Sequence, residues 1–259
     1  MQARILTLVA AIAALAVAST DALSQRNRYQ DDDRNDRAQA GVFDYYVLAL
    51  SWSPTYCADR KGGGDEPQCD TGSGRPYAFV LHGLWPQHDR GWPQDCQSPD
   101  KGWVPGPAAD RMLDIMPSKK LIFHEYRKHG TCSGLGVDGY FGLARQLYEK
   151  VKIPPRFVGL TDDRLMVSPS ELVGDFIAAN PELRPDMIVV QCGGAGNRLR
   201  EVRICFTKAG AFKACGRNEN QRRLCSADRM YVPPVRAGAA KGESDRPPGP
   251  PREIVPLPK

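Results

Sequence analysis

The chain has 259 residues, of which 41% are apolar and 25% charged, a globular composition that excludes collagen, coiled coil and wholesale disorder. Its formal charge of +5 permits an anionic partner without requiring one, so charge alone does not name a ligand. Two sparse residue types carry more information: four histidines, His82, His88, His124 and His129, and eight cysteines.

In chain order, residues 1–25 read as a secretory signal. Arg4 precedes an apolar run over 5–18, and Ala16, Val17 and Ala18 supply small residues for cleavage. The run is too short to span a bilayer and no later segment is long enough. The expectation is therefore a secreted or periplasmic protein with no membrane association once the signal is removed. Residues 26–40 are charged and almost free of apolar side chains, too polar to order themselves. A strand is expected over 43–52, from its aromatic and β-branched content, and a second over 77–81 that delivers His82 at its end. Residues 119–129 read as a helix with Ser118 as N-cap and Gly130 as a left-handed C-terminal cap. Tyr140, Leu143, Leu147 and Val151 recur at helical spacing. Ser168, Pro169, Ser170 and Glu171 form a capping box for a helix running to Asn180, followed by strands over 187–191 and 202–206. Residues 233–259 are a proline-rich, extended tail. One α+β domain remains, at 41–232, because strands and helices do not alternate as a parallel fold requires.

Three histidines fall in two dense polar segments, HGLWPQ at 82–87 and HEYRKHGTC at 124–132. On a helix Glu125 and His129 share a face, as do His124 and Lys128. The second segment is not the zinc motif HExxH: its histidines are five apart, about 140° around the helix, and the Lys128 ammonium opposes a dication. No metal or other cofactor is expected. Two imidazoles with a carboxylate and an ammonium suit metal-free phosphoryl chemistry. One ring removes a proton from a nucleophile, the other protonates the leaving oxygen, and the cation stabilises the phosphorane charge. RNA carries its own nucleophile in the 2′-hydroxyl. A histidine ending a helix should have its protonated form favoured by the macrodipole, which is awkward for a base.

The segments FVLHGLWPQ at 79–87 and FHEYRKHGTC at 123–132, in this order and about 40 residues apart, together resemble the two active-site segments of the ribonuclease T2 family. The opening FDYYVLALSWSPTYC and the C-terminal cysteine pattern extend the resemblance over nearly the whole domain. It implies a central antiparallel sheet with flanking helices, stabilised by disulfides, and a metal-independent endoribonuclease acting on single-stranded RNA and sparing DNA. It further implies that His82 is the general acid, that His129 is the general base, that Glu125 and Lys128 stabilise the transition state, and that His124, with Lys128, binds the substrate phosphate. The products implied are 2′,3′-cyclic phosphates and then 3′-phosphates. Trp85 resembles the family's base-stacking aromatic, and Gln87 occupies a base-contact position. Tyr126 stands where tryptophan is commoner. His88 lies outside these roles and reads as a solvated loop residue.

An even cysteine count in an exported chain implies a disulfide framework, with every pairing open from spacing alone. The resemblance implies Cys96 with Cys132, and Cys192 with Cys225 enclosing Cys205 with Cys215, which leaves Cys57 for Cys69. Two rival readings share part of the pattern: an inactive RNA-binding descendant of the same fold, which the intact His82, Glu125, Lys128 and His129 oppose, and a secreted metallohydrolase, which the histidine spacing opposes. A monomer is expected.

Overall fold

A computed structural model describes residues 39–60, 66–69, 76–162 and 165–235. Its organising strand is β1 (Tyr45–Trp52), which lies between β2 (Phe79–Gln87) and β5 (Arg198–Phe206), pairs antiparallel with each, and is buried along nearly its whole length. Beyond β5 lies β4 (Ile188–Gly193), again antiparallel. The short β3 (Met166–Val167) pairs with β6 (Met230–Tyr231), and β6 meets β5 through one parallel bridge, Arg198 to Tyr231.

Tyr46, Leu48, Leu50 and Trp52 of β1 enter the main core, while Tyr45 and Val47 face the other way into a small cluster with Cys205 and Trp85. The main core is closed by helices, chiefly α4 (Gly136–Lys150) and α6 (Pro169–Ala179), which bury Tyr140, Leu147, Leu172 and Phe176. The outer edge of β2 is covered: the Tyr140 hydroxyl donates to the Leu84 carbonyl at 2.9 Å and the Leu81 amide donates to Ile115. That removes the template an exposed edge would offer to another chain.

Three local expectations change. The second strand continues through His82 to Gln87, so His82 lies inside the sheet. The helix α3 (Lys119–Lys128) has the expected Ser118 N-cap, accepting from Leu121 at 3.4 Å, but Gly130 opens a 3-10 turn and the left-handed residue is Gly134. Gly130 is needed for space instead, because a Cβ there would lie 2.4 Å from the Tyr126 ring. The capping box of α6 is complete, with Ser168 and Glu171 each bonding the other's backbone amide. Finally, the folded part runs past 232: Trp52 Nε1 donates to the Pro233 carbonyl at 3.0 Å and the Val235 amide to Leu160 at 2.7 Å. The expected signal segment lies outside the described residues, as do the charged stretch up to residue 38 and the tail from residue 236. No helix among the described residues is long and apolar enough to cross a membrane.

Candidate active site

The site begins with a defect in the sheet. Ala49 pairs with Gly83 while the next residue, Leu50, pairs with Leu81. His82 is thus an extra residue at a β-bulge, a device that turns a side chain out of the regular alternation. Residues opposite one another share a face, so the pairings of Val47, Ala49 and Ser51 place Trp85 and Gly83 of β2 beside Arg203 and Glu201 of β5. This is the face away from the main core.

Helix α3 packs beside β2, with Ile122 and Tyr126 in the main core, and projects Glu125 onto that face. Glu125, 2% exposed, accepts from Trp85 Nε1 at 2.7 Å. Its approach requires glycine beneath it, since a Cβ on Gly83 would stand 2.1 Å from Glu125 Oε2. His82 bridges two carboxylates: Nδ1 is 2.7 Å from Glu201 Oε1 and Nε2 is 3.5 Å from Glu125 Oε1. His82, Trp85 and Glu125 line, with Lys128 and His129, an open cleft of about 640 Å³, whose walls also include His124, Gln87 and Trp92. The structure therefore gathers all the residues expected for catalysis and for phosphate contact into one cavity, of a size ordinary for ligand sites.

The two histidines at the centre are tuned in opposite directions. Desolvation alone would lower the His82 imidazole, but the hydrogen bond and charge of Glu201, with the Glu125 charge, outweigh it and raise it above its ordinary value. His129 is pushed down to about 3, first by burial and then by the positive charges of Lys128, His82 and His124. Its Nδ1 is buried with no hydrogen-bond partner among the described residues. An imidazolium needs an acceptor on both nitrogens, so this ring is held neutral. The macrodipole expectation for a helix-terminal histidine is thus reversed, because burial dominates. Burial also raises Glu125, against the pull of His82 and the Trp85 hydrogen bond. Glu201 is lowered, since His82 and Arg203 overcome the desolvation that would raise it.

A sequence model of the ribonuclease T2 family matches residues 43–215. The chain belongs to the ribonuclease T2 family. It is 36% identical over 191 residues to a ribonuclease of Aeromonas hydrophila, covering 72% of this chain and 82% of that protein. Among solved structures, an RNase-related protein from Calystegia sepium shares the fold with a TM-score of 0.58 at 21% identity, covering 75% of this chain and 98% of that one. A variant of RNase MC1, in complex with 5′-UMP, gives a TM-score of 0.56 at 20% identity and covers 73% and 98%. The protein is an RNA-cleaving endoribonuclease of the T2 type.

Within this T2 ribonuclease several side chains have surroundings that sequence reading did not supply. Trp85 holds Glu125, and its ring is also flanked by His129, at 5.4 Å between centroids, and by the Arg203 guanidinium, 4.9 Å from the ring. Gln87 is buried, with Oε1 accepting from Asn218 Nδ2 at 3.0 Å. Asn218 is itself fixed by the Gly91 amide and the His88 and Gly91 carbonyls. Trp92, 52% exposed, stands on the cleft wall. His88 is not solvated: it is largely covered, with Nδ1 3.8 Å from Asp44. The carboxylate of Glu201 and its partner Arg203 were missed altogether. The available signal was two opposite charges, two residues apart, inside the otherwise apolar end of β5.

The disulfides of the structure are Cys57–Cys69, Cys96–Cys132, Cys192–Cys225 and Cys205–Cys215. Cys96–Cys132 ties the loop after β2 to the turn after α3, reinforced by the Asp95 amide donating to the Lys128 carbonyl at 2.8 Å. That staple fixes the two histidine segments relative to each other.

Proposed function

We propose that the chain cleaves single-stranded RNA by transesterification, with His129 as general base and His82 as general acid. Neutral His129 takes the proton of the 2′-hydroxyl, the 2′-oxygen forms its bond to phosphorus, the bond from phosphorus to the 5′-oxygen breaks, and His82 gives that oxygen its Nε2 proton. The product is a 2′,3′-cyclic phosphate. In the slower second step a water replaces the leaving alcohol with the proton roles reversed, giving a 3′-phosphate. Lys128 and His124, on the cleft wall contributed by α3, neutralise the phosphate, and Glu125 stabilises the transition state from the floor of the site. Trp92, half exposed on the cleft wall, offers stacking surface to a base, with Trp85 and Gln87 bordering the same cleft.

One observation carries this reading: two imidazoles face one cleft with their protonation pushed apart, His82 toward the acid form and His129 toward the base form. Divergent tuning of neighbouring titratable groups is what acid–base assignment looks like in an enzyme. The ammonium of Lys128 supplies the positive charge that a metal would bring, so the reaction runs without one. DNA lacks the nucleophile and survives. One chain carries the full set of proposed catalytic groups, which suits an active monomer, and the apolar segment at 5–18 with four disulfides supports secretion or a periplasmic location.

The test is incubation with RNA, 2′-O-methyl RNA and single-stranded DNA in EDTA. RNA alone should be cut, leaving cyclic phosphate ends. Chelator-sensitive cleavage, or cleavage of either other polymer, would overturn the proposal, and RNA binding without cleavage would leave only the inactive descendant.

A further inference from the structure

We propose that Glu201, braced by Arg203, is the positioning residue for His82. The proposal rests on the assignment of His82 as general acid and adds what holds that acid in place. Glu201 is 5% exposed and its two oxygens are used separately: Oε1 receives His82 Nδ1 at 2.7 Å and Oε2 receives Arg203 Nε at 2.7 Å. Arg203 is anchored in turn by Nη2 donating to Gln191 Oε1 at 2.8 Å, with its guanidinium over the Trp85 ring. The chain of contacts runs from β4 through β5 to the bulge in β2, crossing β1 on the face of Ala49 and Ser51.

Three consequences follow for the imidazole. A carboxylate accepts and never donates when ionised, so Glu201 holds the proton of neutral His82 on Nδ1. Nε2 is then the nitrogen on the cleft side, next to Glu125, and in the imidazolium it carries the proton to be transferred. The His82 hydrogen bond and charge, with the Arg203 guanidinium, keep Glu201 ionised despite its burial, so the acceptor persists. The bulge gives His82 no regular place in the sheet alternation, and Glu201 supplies the constraint that the irregular backbone lacks. The other titratable or charged groups around His82 are Arg203 of β5 and, from α3 and its C-terminal cap, His124, Glu125, Lys128 and His129, and Glu201 is the group bonded to Nδ1.

A positioned general acid matters only when the leaving group needs a proton. Glu201→Gln should lower kcat about 100-fold on a dinucleoside phosphate and less than about tenfold on a ribonucleoside 3′-aryl phosphate, whose phenolate departs unprotonated. The alkaline limb of its kcat/KM profile should move to lower pH. His82→Ala is run beside it. If His82→Ala shows the leaving-group dependence and Glu201→Gln does not, Glu201 has no positioning role while His82 remains the acid. If His82→Ala loses equally on both substrates, the assignment of His82 falls and the proposal with it. The unmodified chain gives an independent reading should Glu201→Gln fail to fold: imidazole 15N shifts at high pH should show the Nδ1–H tautomer of His82, and the Nε2–H tautomer would overturn the proposal.

Discussion

His129 ends α3 at 8% exposure, and its chemistry follows from that burial. Because its value falls to about 3 and that of His82 rises, kcat/KM should climb through the acid region near pH 3 to 4 and fall only above the ordinary histidine range. A profile whose acid limb lies near pH 6.5 would contradict this tuning. The same burial has a stability signature. Below about pH 6.5 the unfolded chain binds a proton at His129 that the folded chain refuses, so this group makes the fold less stable as pH falls toward 3. Urea melts of His129→Gln should show a weaker loss of stability from pH 6.5 to 4 than those of the unsubstituted chain. Gly83 is the second informative position. Gly83→Ala puts a methyl where Glu125 Oε2 now lies, and should reduce kcat on the order of 100-fold. If dinucleotide cleavage by a folded Gly83→Ala protein is unimpaired, Glu125 does not need its observed seat.

Helix α3 and the edge of the sheet divide the work: the helix supplies His124, Glu125, Lys128 and His129, and the bulged strand supplies His82 and Trp85. Much of this was legible. The Ser118 cap, the Ser168–Glu171 box and the pairing of helix positions 125 and 129 depend on spacing within a single element, which sequence states directly. The bulge was not legible, because an extra residue in β2 exists only relative to its partner β1. Glu201 and Arg203 were hidden for the same reason: their meaning depends on the strand between them and His82. The disulfide pairing became legible only through the family resemblance, since spacing leaves it open. The capping box of α6 offers a control remote from the chemistry. Ser168→Ala should lower stability by about 1 kcal/mol, read as a shift in the urea midpoint, with RNA cleavage at low denaturant unchanged. A parallel loss of kcat would mean that α6 communicates with the cleft.

The described fold is a sheet whose main-core face is packed by helices and whose opposite face is left partly open as a cleft, locked by the Cys96–Cys132 disulfide where the two histidine segments meet. Replacing Cys96 and Cys132 by serine together should lower stability by about 2 to 4 kcal/mol and also depress kcat, because the link joins the β2 loop to the end of α3. Replacing Cys57 and Cys69, neither of which lines the cleft, should affect stability and leave kcat nearly intact; equal kcat losses in the two double variants would show that the Cys96–Cys132 staple has no special role. A decisive measurement is the titration of the individual imidazoles by 1H–15N NMR, assigned with His82→Ala and His129→Ala. The opposed tuning predicts that His82 protonates above the ordinary histidine value and that His129 stays neutral until about pH 3. Two rings titrating together near 6.5, or His129 protonating before His82 as pH falls, would contradict it.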